Sequence, residues 1–155
     1  NKILINFSLR KILPQKRSPR FMSLQEMPII LIADDDPSCQ LLLTEFLKPR
    51  EVKTALVSNG AQAFEECVGN LDIRLVIMDI RMPVMDGLES VRLIRKYRPD
   101  LPVIIYTALN SQEYRYFFKK LNCNDFFVKP VSPRIVVETA AKYLNICTDI
   151  YSSNN

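Results

Sequence analysis

The sequence predicts an α/β fold with a doubly wound, five-stranded parallel sheet. Short apolar runs alternate five times with amphipathic stretches at helical spacing between residues 29 and 144. Most of the runs are apolar throughout, and the joints are short, which is typical of parallel strands covered by helices on both faces. In such folds, ligands bind beyond the carboxyl ends of the strands.

The apolar runs and the amphipathic stretches fix the predicted elements. We predict strands over Ile29–Ala33, Val52–Val57, Ile73–Met78, Pro102–Tyr106 and Phe126–Val128. We predict helices over Leu41–Leu47, Ala61–Val68, Leu88–Tyr97, Gln112–Leu121 and Pro133–Leu144. Asp36 precedes a proline and Asp86 precedes a glycine at helix starts, so both are predicted helix caps.

Composition indicates one ordinary globular domain, and the charge is distributed unevenly along the chain. The chain has 155 residues, of which 48% are hydrophobic and 25% charged. Residues 1–21 hold 6 of the 21 basic residues and no acidic residue. From Met22 onward the chain therefore has 15 basic and 17 acidic residues. A domain with that small negative balance gives no reason to expect nucleic-acid binding.

The pattern divides the chain into three segments. We expect residues 1–27 to be a disordered basic leader, tag or linker, residues 28–147 to form the domain, and residues 148–155 to be a C-terminal tail. An acid-free basic leader is also compatible with a targeting peptide or a membrane-surface helix. The sequence lacks an apolar run of about 18 residues, so we expect no membrane span.

Cysteine and histidine usage excludes several kinds of site. The four cysteines lie far apart, and the chain contains no histidine. This argues against a zinc site and against a histidine base. Scattered thiols in a well-filled domain indicate a reducing compartment.

Polar residues follow four of the five predicted strands. They are Asp34, Asp35 and Asp36 after the first strand, Asp79 after the third, Thr107 after the fourth and Lys129 after the fifth. Because the carboxyl ends of parallel strands share one edge of the sheet, we expect these side chains to converge.

Taken singly, most of these residues have ordinary structural explanations. Asp36 is a helix cap, Thr107 a turn residue and Lys129 a solvated lysine. Asp34 and Asp35 are different, because neighbouring carboxylates repel each other unless a hard cation lies among them. The set as a whole indicates a functional site.

Phosphoryl transfer is the chemistry that such a set supports. A carboxylate can act as the nucleophile, and the transferred group needs a cation, a positive side chain and hydrogen-bond donors. Mg²⁺ takes one or two carboxylates together with phosphate oxygens. We therefore predict Mg²⁺ among Asp34, Asp35 and Asp79, with Lys129 and Thr107 reaching the phosphate.

Five motifs in order carry a family resemblance: "ILIADDDP", "NGAQAFEE", "LVIMDIRMPVMDG", "VIIYTA" and "FFVKP". Over about residues 28–146 the chain resembles the receiver domain of two-component response regulators, of the size of the stand-alone chemotaxis regulator. The resemblance implies a flavodoxin-like (βα)5 fold with strand order 2-1-3-4-5. It also implies a cytoplasmic signalling protein that is not a turnover enzyme.

Carried over by position, the resemblance implies a role for each site residue. Asp79 is the expected phosphoryl acceptor. Asp34 and Asp35 are expected to hold Mg²⁺, together with Asp79 and the backbone carbonyl of Arg81. The implied donor is a sensor histidine kinase or a histidine phosphotransfer protein.

The resemblance also implies a switch. Lys129 is expected to pair with Asp79 and then with the phosphate, and its bond to Pro130 is expected to be cis. Thr107 is expected to move toward the phosphoryl oxygen, while Phe126 occupies the switch position that is often tyrosine.

The face formed by the fourth helix, fifth strand and fifth helix is the expected output surface, for a downstream protein or for self-association. The residues expected to contribute to it are Tyr106, Tyr114, Arg115, Tyr116, Phe117, Lys119 and Lys120. Tyrosine and phenylalanine at helical spacing are more often core residues, so we expect only some to be exposed.

Two positions concern the lifetime of the phosphorylated state. Arg81 and Leu109 occupy the positions that tune dephosphorylation in the family. Neither is a carboxylate or an amide that could orient an attacking water. We hypothesise slow autodephosphorylation.

Three other interpretations remain open from the sequence. The chain could be a receiver module cut from a hybrid histidine kinase or a larger regulator. It could be a Mg²⁺-dependent phosphatase with an aspartyl-phosphate intermediate, since Asp34 and Asp36 form the required pair of acids two residues apart. It could also be an adaptor that works without phosphorylation, although a scaffold has no need of the full acidic set.

Overall fold

The computed structural model describes residues 27–109 and 112–146, with the side chains of residues 112–115 outside that description. Strands and helices alternate through the described part of the chain. The strands are β1 Ile29–Ala33, β2 Lys53–Val57, β3 Ile73–Met78, β4 Val103–Thr107 and β5 Asp125–Val128. The helices are α1 Pro37–Leu47, α2 Gly60–Gly69, α3 Gly87–Tyr97, α4 Gln112–Lys120 and α5 Pro133–Tyr143.

The five strands form one parallel sheet in the order β2-β1-β3-β4-β5. This confirms the predicted doubly wound sheet and its strand order. β1 and β3 are neighbours although a strand and two helices separate them in the chain. Ala33 pairs with Met78 at their ends, so the residue that follows each strand lies at the same edge.

The two faces of the sheet bury separate apolar clusters. Side chains alternate along each strand, so Ile30 and Ile32 of β1 point to one face while Leu31 and Ala33 point to the other. The first face packs under α1 and α5, and the second under α2, α3 and α4. Burial on both faces is why β1 and most of β4 are apolar without alternation.

Most predicted boundaries agree with the structure to within one residue, and two of the differences have identifiable reasons. α1 begins at Pro37, four residues before the predicted start, because its first turn is polar and shows no apolar periodicity. The Asp36 side chain accepts a hydrogen bond from the Ser38 amide at 2.8 Å, which confirms the predicted cap. β4 extends to Thr107, which pairs with Val128 although it is polar.

Some predictions fall outside the described residues. These are the basic leader apart from Met27, the C-terminal tail and Cys147. Cys39, Cys67 and Cys123 are free thiols. Within the described ranges, no helix has the length and apolar character needed to cross a membrane.

Two glycines allow the turn between β3 and α3 to pack closely on its surroundings. A Cβ added at Gly87 would lie far inside contact distance of the Asp79 carbonyl oxygen, and one at Gly60 would lie 2.5 Å from the Met85 carbonyl oxygen. The Ser90 hydroxyl donates to the Gly60 carbonyl at 2.7 Å. The close packing of α2, α3 and the end of β3 therefore requires glycine at both positions.

We expect Gly87→Ala to lower the free energy of unfolding by about 1–3 kcal/mol, as overpacked sites do, because the Asp79 backbone must shift. Gly69→Ala is the matched control, since an added Cβ there meets nothing within 4 Å. The control should be neutral or stabilising by up to about 1 kcal/mol. Urea unfolding curves measure both, and equal effects of the two variants would contradict the packing explanation.

Candidate functional site

Backbone hydrogen bonds continue the sheet beyond the strands and fix the polar residues at its edge. The Asp34 amide donates to Val57 O at 3.1 Å, and the Asp79 amide donates to Ala33 O at 2.8 Å. The Lys129 amide donates to the carbonyl of Thr107 at 2.7 Å. The backbone of these candidate site residues is therefore held by the sheet itself.

Three carboxylates meet at this edge, as predicted. Asp34, Asp35 and Asp79 each offer an oxygen, and these oxygens lie within 4.8 Å of one another. Asp34 and Asp79 are buried, whereas Asp35 is exposed. A set of hard oxygen ligands that is open to water on one side fits Mg²⁺, which keeps several waters when bound.

Asp34 is the most heavily bonded acid of the three. One of its oxygens accepts from the Asp36 amide at 3.0 Å, and the other accepts from Lys129 Nζ at 2.7 Å. The Cys39 thiol lies beside this carboxylate, which together with burial raises the pKa of the thiol. These bonds fix Asp34 in one orientation, so it is a structural anchor as well as a candidate ligand.

The Asp79 side chain has fewer hydrogen bonds than that of Asp34. Its Oδ1 accepts from the Ile80 amide at 2.7 Å. Burial raises the pKa of Asp79 above its ordinary value, although the hydrogen bond with Thr107 and the charge of Lys129 act in the opposite direction. A desolvated carboxylate of this kind gains from a nearby cation, which favours the ionised form.

Lys129 bridges the two buried acids. Its Nζ lies 2.7 Å from Asp34 and 3.9 Å from Asp79. Burial opposes the charged form, but the hydrogen bond and charge of Asp34 outweigh it and raise the pKa of Lys129. The sequence predicted a pair with Asp79. The pair exists, but the shorter contact is with Asp34, which is the more buried acid.

The two residues that the resemblance assigns to the switch lie on the side of the sheet that faces α4. Thr107 is fully buried, and its hydroxyl accepts from the Leu109 amide at 3.4 Å. Phe126 is half-buried and stacks on Phe118 of α4 with 4.4 Å between ring centroids. The Lys129–Pro130 bond is cis, as predicted.

A family model described as the response regulator receiver domain matches residues 30–141 of the chain. The chain belongs to this family. The receiver domain's sequence motifs and the convergence of their residues at one sheet edge agree with that assignment.

The receiver domain is similar to parts of longer curated proteins. It is 37% identical over 102 residues to the transcriptional regulatory protein ZraR of Klebsiella oxytoca, covering 66% of this chain and 23% of that protein. It is 31% identical over 123 residues to the transcriptional regulatory protein BaeR of Escherichia coli, covering 79% of this chain and 50% of that protein. The chain thus spans half or less of the length of these relatives.

Solved structures share the fold of the receiver domain. A CheY-like receiver domain protein from Methanospirillum hungatei superposes with a TM-score of 0.72 at 24% identity, covering 77% of this chain and 94% of that one. The BeF3-activated DrrB receiver domain superposes with a TM-score of 0.69 at 24% identity, covering 77% and 98%. At this identity the likeness concerns the fold alone.

The predicted output surface of the receiver domain needs one correction. Tyr106 is only 6% exposed and packs in the cluster under α1 and α5, so it does not contribute to that surface. Its strand alternation directs it away from α4. Tyr116 and Phe117 are exposed on α4, with their rings edge to face at 5.8 Å. The side chains of Tyr114 and Arg115 lie outside the described residues.

Sequence reasoning missed two residues beside the site of the receiver domain. The Tyr106 ring centroid lies 5.0 Å from Lys129 Nζ. Cys39 lies beside Asp34, and burial raises the pKa of its thiol to about 12, so it is a protonated donor. Tyr106 pairs with Phe127, two residues before Lys129, so Tyr106 and Lys129 share a face of the sheet; the sequence does not give this register.

Arg81, whose backbone carbonyl the resemblance adds to the metal ligands, has an exposed side chain. No contact of that carbonyl appears among the hydrogen bonds of the described residues. Its assignment as a ligand therefore stays a prediction.

We expect Mg²⁺ to stabilise the receiver domain, by about 2.7 kcal/mol at a concentration one hundred times its dissociation constant. Asp35→Asn should remove most of this gain, because it deletes an exposed candidate ligand without breaking a buried ion pair. Asp36→Asn is the matched control, since asparagine also caps helices. Thermal unfolding with Mg²⁺ and with EDTA measures the difference, and an equal loss in both variants would argue against the assigned ligands.

Proposed function

We propose that this receiver domain is a phosphorylation-dependent signalling switch that accepts a phosphoryl group on Asp79. The observation that carries the proposal is the surroundings of that carboxylate. It lies with Asp34 and Asp35 in a cluster whose ligand oxygens are within 4.8 Å of one another, and Lys129 Nζ is 3.9 Å away. The proposed donor is a sensor histidine kinase or a histidine phosphotransfer protein.

In the proposed transfer, an Asp79 carboxylate oxygen attacks the phosphorus of a phosphohistidine. The new P–O bond forms as the P–N bond breaks, and the electron pair leaves with the imidazole nitrogen, which takes a proton from water. Mg²⁺, held by Asp34, Asp35, Asp79 and the Arg81 carbonyl, would neutralise charge on the phosphoryl oxygens. The Lys129 ammonium supplies a second positive charge.

The proposed signal is a change of packing. Phosphorylation replaces the single negative charge of the Asp79 carboxylate with a phosphoryl group that carries roughly −1.5 to −2 charges, and Thr107 and Lys129 close on the new oxygens. The movement of Thr107 frees space for Phe126 to turn inward, which ends its stacking on Phe118 of α4. This is a two-state element biased by a local charge change.

We propose that the face formed by α4, β5 and α5 carries the output. Tyr116, Phe117, Lys119 and Lys120 are exposed there. This mixture suits a downstream protein or a second copy of the domain. We propose no nucleic-acid contact by the domain itself, because its charge balance is slightly negative.

The cellular context is part of the proposal. Scattered free thiols suit a reducing compartment, so we propose a cytoplasmic location. The domain undergoes phosphorylation and dephosphorylation at its own aspartate and is proposed not to turn over a separate substrate.

One alternative has a specific observation in its favour. The curated relatives are longer than this chain, which covers 23% of ZraR and 50% of BaeR. In this alternative, the receiver domain is one module of a larger regulator or of a hybrid histidine kinase. In that case the same switch acts on a neighbouring domain.

The phosphatase alternative has less support. It requires Asp36 as the second acid, but the Asp36 side chain caps α1 at an exposed position. The metal cluster of the described residues contains Asp34, Asp35 and Asp79 instead. A phosphorylation-independent adaptor leaves that cluster without a role.

Asp79→Asn should abolish phosphorylation by acetyl phosphate with Mg²⁺, because the amide is not a nucleophile. Asp72→Asn, at an exposed position before β3, is the matched control and should retain wild-type labelling. Intact-protein mass spectrometry measures the added phosphoryl group. Labelling of the Asp79→Asn protein to the wild-type level would refute the proposed acceptor, and the absence of labelling in the wild type would favour the adaptor.

We expect the phosphorylated state to decay over minutes or longer. Leu109 is half-buried against the apolar cluster, and Arg81 is exposed, so neither provides a carboxylate or an amide for an attacking water. Leu109→Gln should shorten the lifetime several-fold, because its amide can orient water, whereas Leu109→Met should leave it unchanged. A half-life of seconds in the wild type, measured by loss of the acyl phosphate, would contradict this expectation.

A further inference from the structure

Tyr106 contacts both sides of the turn that carries Lys129. The centre of its ring lies 5.0 Å from Lys129 Nζ. Its hydroxyl donates to the carbonyl of Val131 at 3.2 Å. These are two different contacts from one side chain, one before and one after Pro130.

The contact between the Tyr106 ring and the Lys129 ammonium lies in largely buried surroundings, which strengthen it. Tyr106 is 6% exposed, and Lys129 Nζ sits among buried acids at the sheet edge. A cation over a tyrosine ring is stabilised by the ring quadrupole, and the effect grows when water is excluded. The Tyr106 ring is therefore a third group, beside the two carboxylates, that holds Nζ.

The contact with Val131 fixes the backbone of the same turn. The Lys129 amide is already bound to the carbonyl of Thr107 at 2.7 Å. With the Tyr106 hydroxyl on the Val131 carbonyl, the turn is bound to β4 on both sides of Pro130. Both anchors come from consecutive residues of one strand.

We propose that Tyr106 is a positioning residue that holds Lys129 ready to bind the phosphoryl group. The inference rests on the proposed function. Nζ lies nearer to Asp34, at 2.7 Å, than to Asp79, at 3.9 Å, so binding of an Asp79 phosphoryl group requires the ammonium to change partner. The ring supports Nζ whichever acid it contacts, and this keeps the flexible lysine side chain close to Asp79 during the exchange.

Beryllofluoride with Mg²⁺ is the probe, because it mimics the phosphoryl group without turnover. Tyr106→Leu should weaken its affinity, measured by calorimetry and by the ¹⁹F signal of the bound probe, by roughly three- to thirtyfold, as expected for a partly desolvated cation–π contact. Tyr106→Phe keeps the ring and should retain most of the affinity. Tyr97→Leu, an exposed tyrosine on α3, is the matched control and should bind as the wild type does.

A double-mutant cycle separates positioning from a general packing effect. If Tyr106 acts through the ammonium, Tyr106→Leu has no further effect in a Lys129→Gln background. A merely structural role gives the same loss of affinity in both backgrounds. Where Tyr106→Leu does not fold, Tyr106→Met is measured in its place.

Each outcome has a defined meaning. Wild-type affinity in Tyr106→Leu, or equal losses in both backgrounds, overturns the positioning role and leaves the proposed function intact. A wild-type protein that binds no beryllofluoride overturns the proposed function and this inference with it. Rescue by phenylalanine together with loss of the effect in the Lys129→Gln background supports the inference.

Discussion

The Lys129 ammonium makes the acidic edge of this sheet compatible with folding. Asp34 and Asp79 are buried side by side, and buried like charges strongly oppose each other. One cation from the far end of the chain compensates both, at 2.7 Å and 3.9 Å. Removal of one partner from a buried ion pair leaves an uncompensated charge and strongly destabilises a protein. The position of β5 relative to β1 and β3 is therefore an electrostatic requirement as well as a packing one.

The strand order brings the residues of the candidate site together. Because β1 lies between β2 and β3, the acids that end β1 and β3 become neighbours although they are 45 positions apart in the sequence. β4 then lies between β3 and β5, so Thr107 stands between Asp79 and the strand that leads to Lys129. The same geometry gives the proposed switch a route to α4. Thr107 and Phe126 occupy adjacent strands, and Phe126 already touches that helix through Phe118.

How well a feature can be predicted from the sequence depends on whether it is set by local or by long-range interactions. Ile73–Met78 is a strand with the predicted limits, because a mostly apolar run bounded by aspartates is a local signal. The convergence of the acids with Lys129 followed from the parallel sheet alone. The shorter contact of Lys129 with Asp34 did not follow, since it depends on side-chain orientations. Tyr106 was assigned to the wrong face, because a fully buried strand gives no polar alternation to show which side chains point to which helices.

The turn that follows Asp79 carries backbone strain beside the candidate site. Val84 is a β-branched residue with a φ of 68°, in the left-handed region that disfavours such side chains by roughly 1–2 kcal/mol. Its side chain is 86% exposed, so packing of that side chain does not stabilise the conformation. The turn is held at its flanks instead, where the Gly87 amide donates to Ile80 O at 2.8 Å and the Gly60 amide donates to Met85 O at 2.9 Å. Strain of this kind persists only where neighbouring contacts determine the backbone, and it is concentrated at functional sites. The segment after Asp79 is thus fixed by the same glycine contacts that bring α2 and α3 together, which ties the shape of the candidate site to the packing of the helices beside it.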